Sequence, residues 1–166
     1  MQPKELIRTA LFITGRLFYG NRKSKIIYYH DIFNETRYTE MGTPLTLFKK
    51  HLEILTKCGY RIVPNITRKE RELALMLDDG FRGIWDCRGY FYEHNIQPTI
   101  FIAKSLVGKE GYLNEDEIKE LAAHGWMFQS HTVSHTSLND FAIEQLDVEL
   151  KESKLYLENL LGIQID

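Results

Sequence analysis

Two polar clusters in this 166-residue sequence have residue types and spacings that could do chemistry. The first is Asp78-Asp79-Gly80, two adjacent carboxylates directly after an apolar run. Side chains alternate direction along an extended backbone, so the two acids point differently and can take different jobs. The second is Ser130-His131-Thr132-Val133-Ser134-His135, in which two histidines stand four apart. Imidazoles at that spacing can converge on one cation, in a helical turn or in a tight loop. Two imidazoles and one carboxylate form a recurrent ligand set that leaves positions for water and substrate, and the second carboxylate is then free to act as a base. Plainer readings stand beside these. An acid pair also complements the dipole of a helix that it initiates, and two loop histidines can simply be solvated.

Alternating elements must place these clusters. Ile26 to Tyr29 reads as a short strand ending at His30-Asp31. Thr43 reads as an N-cap with Pro44 in the first helical turn, and Phe48, Leu52 and Leu55 line one face before Gly59. A short strand over Tyr60 to Val63 follows. Leu73 to Leu77 is apolar without alternation, as in a strand covered on both sides, and Thr99 to Ala103 is a second such run. The stretch from Phe81 to Asn95 between them reads as a helix, with Gly83 and Gly89 counting against it. Asn114 and Glu117 are spaced as a capping box, with Leu113 and Ile118 as its hydrophobic staple. Trp126 to Ser130 is the fifth strand. Ala142 to Leu161 is a long helix with Ile143, Leu146, Leu150, Leu157 and Leu160 expected on one side, and Ile163 to Asp166 resembles the start of a further strand. Strand and helix in alternation predict a parallel α/β fold of about five strands, too few for an eight-stranded barrel and so a partial or distorted one. In such folds ligands bind at the carboxyl ends of the strands, where both clusters fall.

Hydrophobic residues at 43% and charged residues at 27% exclude disordered and low-complexity classes. A formal charge of −2 disfavours nucleic acid as a partner. Cys58 and Cys87 form no CxxC pair, so neither a disulfide framework nor a cysteine zinc knuckle is indicated. Residues 1–24 are set apart as a basic amphipathic segment from a domain over 25–166. Arg8 and Arg16 interrupt its apolar stretch too often for a bilayer span. The segment is expected to pack on the domain or to touch an anionic membrane surface. Without a recognisable cleavable signal, a cytoplasmic or membrane-peripheral location is left open.

Leu77-Asp78-Asp79-Gly80-Phe81 resembles the T-F-D-D-G motif, and Ser130 to Thr136 resembles the H-[ST]-x-x-H motif, of the polysaccharide deacetylases in carbohydrate esterase family four. The motifs occur in the family's order. Tyr28-Tyr29-His30-Asp31 is similar to the Y-H segment that opens many members acting on N-acetylglucosamine polymers, and Cys58-Gly59-Tyr60 carries the family's usual Gly-Tyr. The likeness runs from about Lys25 to Gly162. Leucine replaces the phenylalanine before the acid pair, and Thr136 stands where proline is common.

The resemblance implies that Asp79, His131 and His135 hold one divalent metal, zinc in most members and cobalt or nickel in some. It implies that Asp78 is the general base, that Thr132 holds the histidine loop by hydrogen bonding, and that the substrate is an N-acetylated amino-sugar polysaccharide. His30, at the end of the first strand, is a candidate for the substrate groove. Members continue past the long helix with an R-P-x-G-type segment, an aspartate-tryptophan segment and a late histidine taken as the general acid, and no such segment follows Gly162 here. An inactive relative that binds metal or glycan is therefore the alternative, and a homo-oligomer covering the open side of the sheet is a further expectation.

Overall fold

The computed structural model describes residues 22–165. The expected amphipathic segment at 1–24 lies almost wholly outside the described residues. Among those residues, no helix is long and apolar enough to cross a membrane.

The chain runs through β1 (Lys25–Tyr29), β2 (Asp31–Phe33), β3 (Gly42–Pro44), α1 (Leu45–Lys57), β4 (Arg61–Ile62), β5 (Glu72–Leu77), α2 (Gly83–Asp86), α3 (Arg88–Glu93), β6 (Thr99–Ile102), α4 (Glu115–Ala123), β7 (Met127–Ser130) and α5 (Ile143–Leu161). Five strands form one sheet in the order β1-β5-β6-β7, with β4 paired to the start of β5. Every pairing in it is parallel. β2 and β3 form a separate parallel pair. Among the described residues the sheet stays open, as the strand number predicts.

Leu73, Leu75 and Leu77 of β5, Ile100 and Ile102 of β6 and Phe128 of β7 are all buried, and the helices cover them with Phe48, Leu52, Ile84, Phe91, Ile118, Leu121 and Leu157. The ring of Phe91 stacks on Phe48 at 5.4 Å between centroids and lies 5.3 Å from Trp126. Continuous apolar strands thus behave as their composition requires, because a parallel sheet flanked by helices has no face that polar residues can occupy cheaply. Cys87 is buried in this layer, and desolvation pushes its thiol up to about 12, which leaves it protonated and unreactive.

Four local expectations are corrected. Thr43 pairs with Ile32 as part of β3, so α1 begins one residue later than expected, with Pro44 as its N-cap. The stretch 81–95 is two short helices, because the Tyr90 N–H bonds to the Cys87 carbonyl three residues back and tightens the turn between them. Residues 163–165 form no strand, and the Ile165 N–H bonds to the Glu158 side chain at 3.1 Å instead. On α5 the inward residues are Glu149, Ser153 and Leu157, whereas Ile143 and Leu150 are exposed. The α4 capping box forms as expected, with Asn114 Oδ1 accepting from the Glu117 N–H at 2.9 Å and Glu117 Oε2 from the Asn114 N–H at 3.0 Å.

Glu72 opens β5 at 1% exposure and collects the loop before it. Its carboxylate accepts from the Thr67 N–H at 2.6 Å, the Arg68 N–H at 2.8 Å and Arg61 Nη2 at 2.7 Å. The Thr67 N–H leads these groups in holding the carboxyl down to about 2, against the opposing effect of burial. A depressed carboxyl stabilises the fold above its unfolded value and loses that contribution as pH falls. We therefore expect Glu72→Gln to be less stable than the parent at pH 7, with the difference shrinking as the pH falls from 4.5 toward about 2. Urea unfolding across that range tests this; a gap that stays constant with pH would refute it.

Candidate metal centre

The registers bring both polar clusters to one sheet edge. Tyr29 lies beside Leu77, Leu77 beside Ile100, and Ile102 beside Ser130. His30, Asp78 and His131 therefore each leave the carboxyl end of a strand on the same side. The Asp78 N–H still bonds to the Tyr29 carbonyl at 2.9 Å, and the His131 N–H to the Ile102 carbonyl at 2.9 Å, so sheet pairing fixes the backbone up to both clusters.

Beyond those bonds the chain turns abruptly. Asp79 and Gly80 both have left-handed backbone, with φ of 71° and 75°. A Cβ on Gly80 would meet Ile102 Cδ1 at 2.6 Å, so only glycine lets the turn lie this close to β6. The turn sends the Asp79 side chain inward to 5% exposure and leaves Asp78 half-buried. In the histidine loop, Thr132 and His135 also have left-handed backbone, at 69° and 58°. Such conformations cost about 1–3 kcal/mol each for non-glycine residues and persist only where surroundings over-determine them.

Those surroundings are visible. Thr132 Oγ1 accepts from the His135 N–H at 3.1 Å, and the Thr132 and Val133 carbonyls accept from the N–H groups of Lys104 and Ser105 at 3.1 and 2.9 Å. From the other side, Glu149 Oε2 on α5 accepts from the Val133 N–H at 2.9 Å and the Ser134 N–H at 2.8 Å. The hydroxyl of Ser153, one turn further along, lies 2.5 Å from that of Ser130. Burial pushes the Glu149 carboxyl up, but the Ser134 and Val133 donors outweigh it and hold the group below the usual carboxylate range. Reading the sequence alone missed Glu149 and Ser153. The spacing Leu146, Glu149, Ser153, Leu157 was the available signal, since it traces one helical face as well as the all-apolar set does.

The outcome is a convergence of three side chains. Asp79 Oδ1 lies 2.7 Å from His135 Nε2 and 3.3 Å from His131 Nε2, and one ligand atom from each residue falls within 4.8 Å of the others. Burial pushes the Asp79 carboxyl up, but the adjacent imidazoles, with His30 a weaker contributor, outweigh it and hold the group below its ordinary range. The Asp79 contact raises the His131 imidazole, with a smaller contribution from the charge of Asp78. Asp79 Oδ1 is nonetheless buried with no aligned hydrogen-bond donor. A buried, electron-rich oxygen facing two imidazole nitrogens, without a donor to satisfy it, fits a cation. The histidine side chains are 35% and 42% exposed, so the group opens to solvent on their side.

Asp78 stands outside the three-residue group, near enough to act on His131 through its charge. His30 shares the edge and is half-buried, with its ring edge-on to exposed Tyr28 at 6.4 Å. Asp31 turns away from the site into the core, where Gly83 supplies the space: a Cβ there would lie 2.5 Å from both Asp31 oxygens.

Comparisons with known proteins bear on the family and the fold. YxkH of Bacillus subtilis (strain 168), whose name assigns it to the polysaccharide deacetylases, is 28% identical over 156 residues. The match covers 86% of this chain and 54% of that protein, so the chain spans about half the length of this curated relative. The Streptococcus pyogenes deacetylase PplD, solved with acetate, superposes with a TM-score of 0.74 at 22% identity, covering 86% of this chain and 71% of that one. IcaB from Ammonifex degensii gives a TM-score of 0.73 at 18% identity, over 87% and 72% of the two chains. A Bacillus cereus polysaccharide deacetylase gives 0.72 at 23% identity, over 87% and 49%. These structural likenesses are likenesses of fold. The polysaccharide deacetylase family pattern itself matches residues 65–166, a span that holds both polar clusters, and with well over half of its length so matched the chain belongs to the polysaccharide deacetylase family.

Proposed function

We propose that this chain carries the metal ligands and general base of a hydrolase that removes N-acetyl groups from an amino-sugar polysaccharide. The observation that carries the reading is the meeting of Asp79, His131 and His135 within 4.8 Å, with Asp78 beside them and outside the group. Asp79, His131 and His135 would hold one divalent cation, zinc before cobalt or nickel, through one carboxylate oxygen and two imidazole nitrogens. When bound, that ion supplies Lewis acidity toward the acetamide carbonyl and lowers the pKa of water at the site. Asp78 takes the proton from the attacking water, because its carboxylate is left free of the ligand group and partly open to solvent. Thr132 keeps the His135 backbone in its left-handed turn, and His30 lines the groove through which the sugar approaches.

Isothermal titration of the purified chain with zinc is expected to show one equivalent bound. At about 100 times the dissociation constant, zinc should stabilise the fold by about 2.7 kcal/mol. An N-acetylglucosamine oligomer incubated with the zinc-loaded protein should release acetate. Absence of zinc uptake defeats the reading. Uptake without acetate release from acetylated oligomers favours the inactive metal-binding alternative.

A further inference from the structure

The inward face of α5 is polar where a core helix is ordinarily apolar. Glu149 is 8% exposed and Ser153 is 1% exposed, and the two make different contacts. Ser153 reaches the hydroxyl of Ser130, at the last residue of β7 and before the first histidine. Glu149 reaches inside the loop, where a single oxygen receives the consecutive N–H groups of Val133 and Ser134. That dipeptide lies between the two left-handed residues, Thr132 and His135. Successive N–H groups aimed at one anion form a concavity whose shape depends on the anion that fills it.

We propose that Glu149 is a positioning residue for the metal-ligating loop: by gripping Val133 and Ser134 from α5 it holds His131 and His135 on Asp79, and so sets the affinity for the divalent cation. This role rests on the metal reading above. Without the carboxylate, two partly buried N–H groups lose their acceptor and the loop is free to relax toward ordinary backbone angles. His135 Nε2, 2.7 Å from Asp79 Oδ1, would move with it. Ser153 serves as the internal comparison, because it ties the same helix to Ser130 at the end of β7 without entering the loop.

The test measures zinc affinity by titration, and apo melting temperature, for the parent chain, Glu149→Ala, Glu149→Gln and Ser153→Ala. Glu149→Ala should weaken zinc by about 10- to 100-fold, the loss usual when a group supporting metal ligands is removed. Glu149→Gln should recover most of that affinity, since its amide oxygen can accept the same two N–H groups. Ser153→Ala should lower the melting temperature while zinc affinity stays within about twofold of the parent. If Glu149→Ala fails to fold, Glu149→Asp, with the charge kept and the arm one methylene shorter, should fold and bind zinc more weakly than Glu149→Gln. The role is overturned if folded Glu149→Ala, or Glu149→Asp in its place, binds zinc as the parent does, or if Ser153→Ala loses zinc affinity in step with Glu149→Ala. A parent chain that takes up no zinc overturns the metal reading and this role together.

Discussion

Asp78→Asn is expected to lower acetate release by about 100- to 10,000-fold, which corresponds to about 3–5 kcal/mol of lost transition-state stabilisation. Asparagine has the shape of aspartate and leaves the Asp78 N–H bond to Tyr29 in place, so the turn into Asp79 persists. It lacks the negative charge, a minor influence on His131, and with it the ability to take up a proton. Because Asp78 lies outside the three-residue ligand group, zinc affinity should change little. Side-by-side acetate assays and zinc titrations separate the two effects. Unimpaired deacetylation would remove Asp78 from the role of base, while a parallel collapse of zinc binding would make it a ligand.

Asp79→Asn should have the opposite signature, with the metal lost first. Asparagine tolerates left-handed backbone nearly as well as aspartate, so the φ of 71° is preserved and the change is one of charge. Removing the only carboxylate of the group should weaken zinc by more than about 100-fold, beyond what supporting residues usually cost. Stabilisation by zinc should disappear from the melting curve. The apo protein should melt somewhat below the parent, because asparagine gives up the attraction of the two imidazoles that holds the Asp79 carboxyl below its ordinary range against the cost of burial. Undiminished zinc stabilisation in this variant would refute the ligand assignment.

The two variants differ because adjacent acids face different surroundings, and that difference was only partly legible. Strand alternation predicted that Asp78 and Asp79 would point apart. Which of them turns inward was decided by the left-handed turn at Asp79-Gly80, which packs so near Ile102 in the next strand that a Cβ on Gly80 would meet its side chain. Likewise, the apolar run Leu73 to Leu77 announced a covered strand, and the Asn114–Glu117 spacing announced a helix start that forms as expected. The expected face of α5 failed at Ile143 and Leu150, because hydrophobicity alone ranks a leucine as more inward than a glutamate. In the folded chain Glu149 is inward because donors 15 and 16 residues away need an acceptor there.

From its own order of residues, the chain determined its alternation of strands and helices, its parallel pairing, and the placing of both polar clusters at strand ends. Those features follow from periodicity, capping and run length, which operate over a few neighbouring residues. The tertiary structure decided how Asp79 comes to meet His131 and His135, and it alone decided that α5 grips the histidine loop through Glu149. Each of these is settled by contacts or turns that local pattern does not encode, since partners far apart in the chain must first be brought within hydrogen-bond reach before their chemistry can select a conformation.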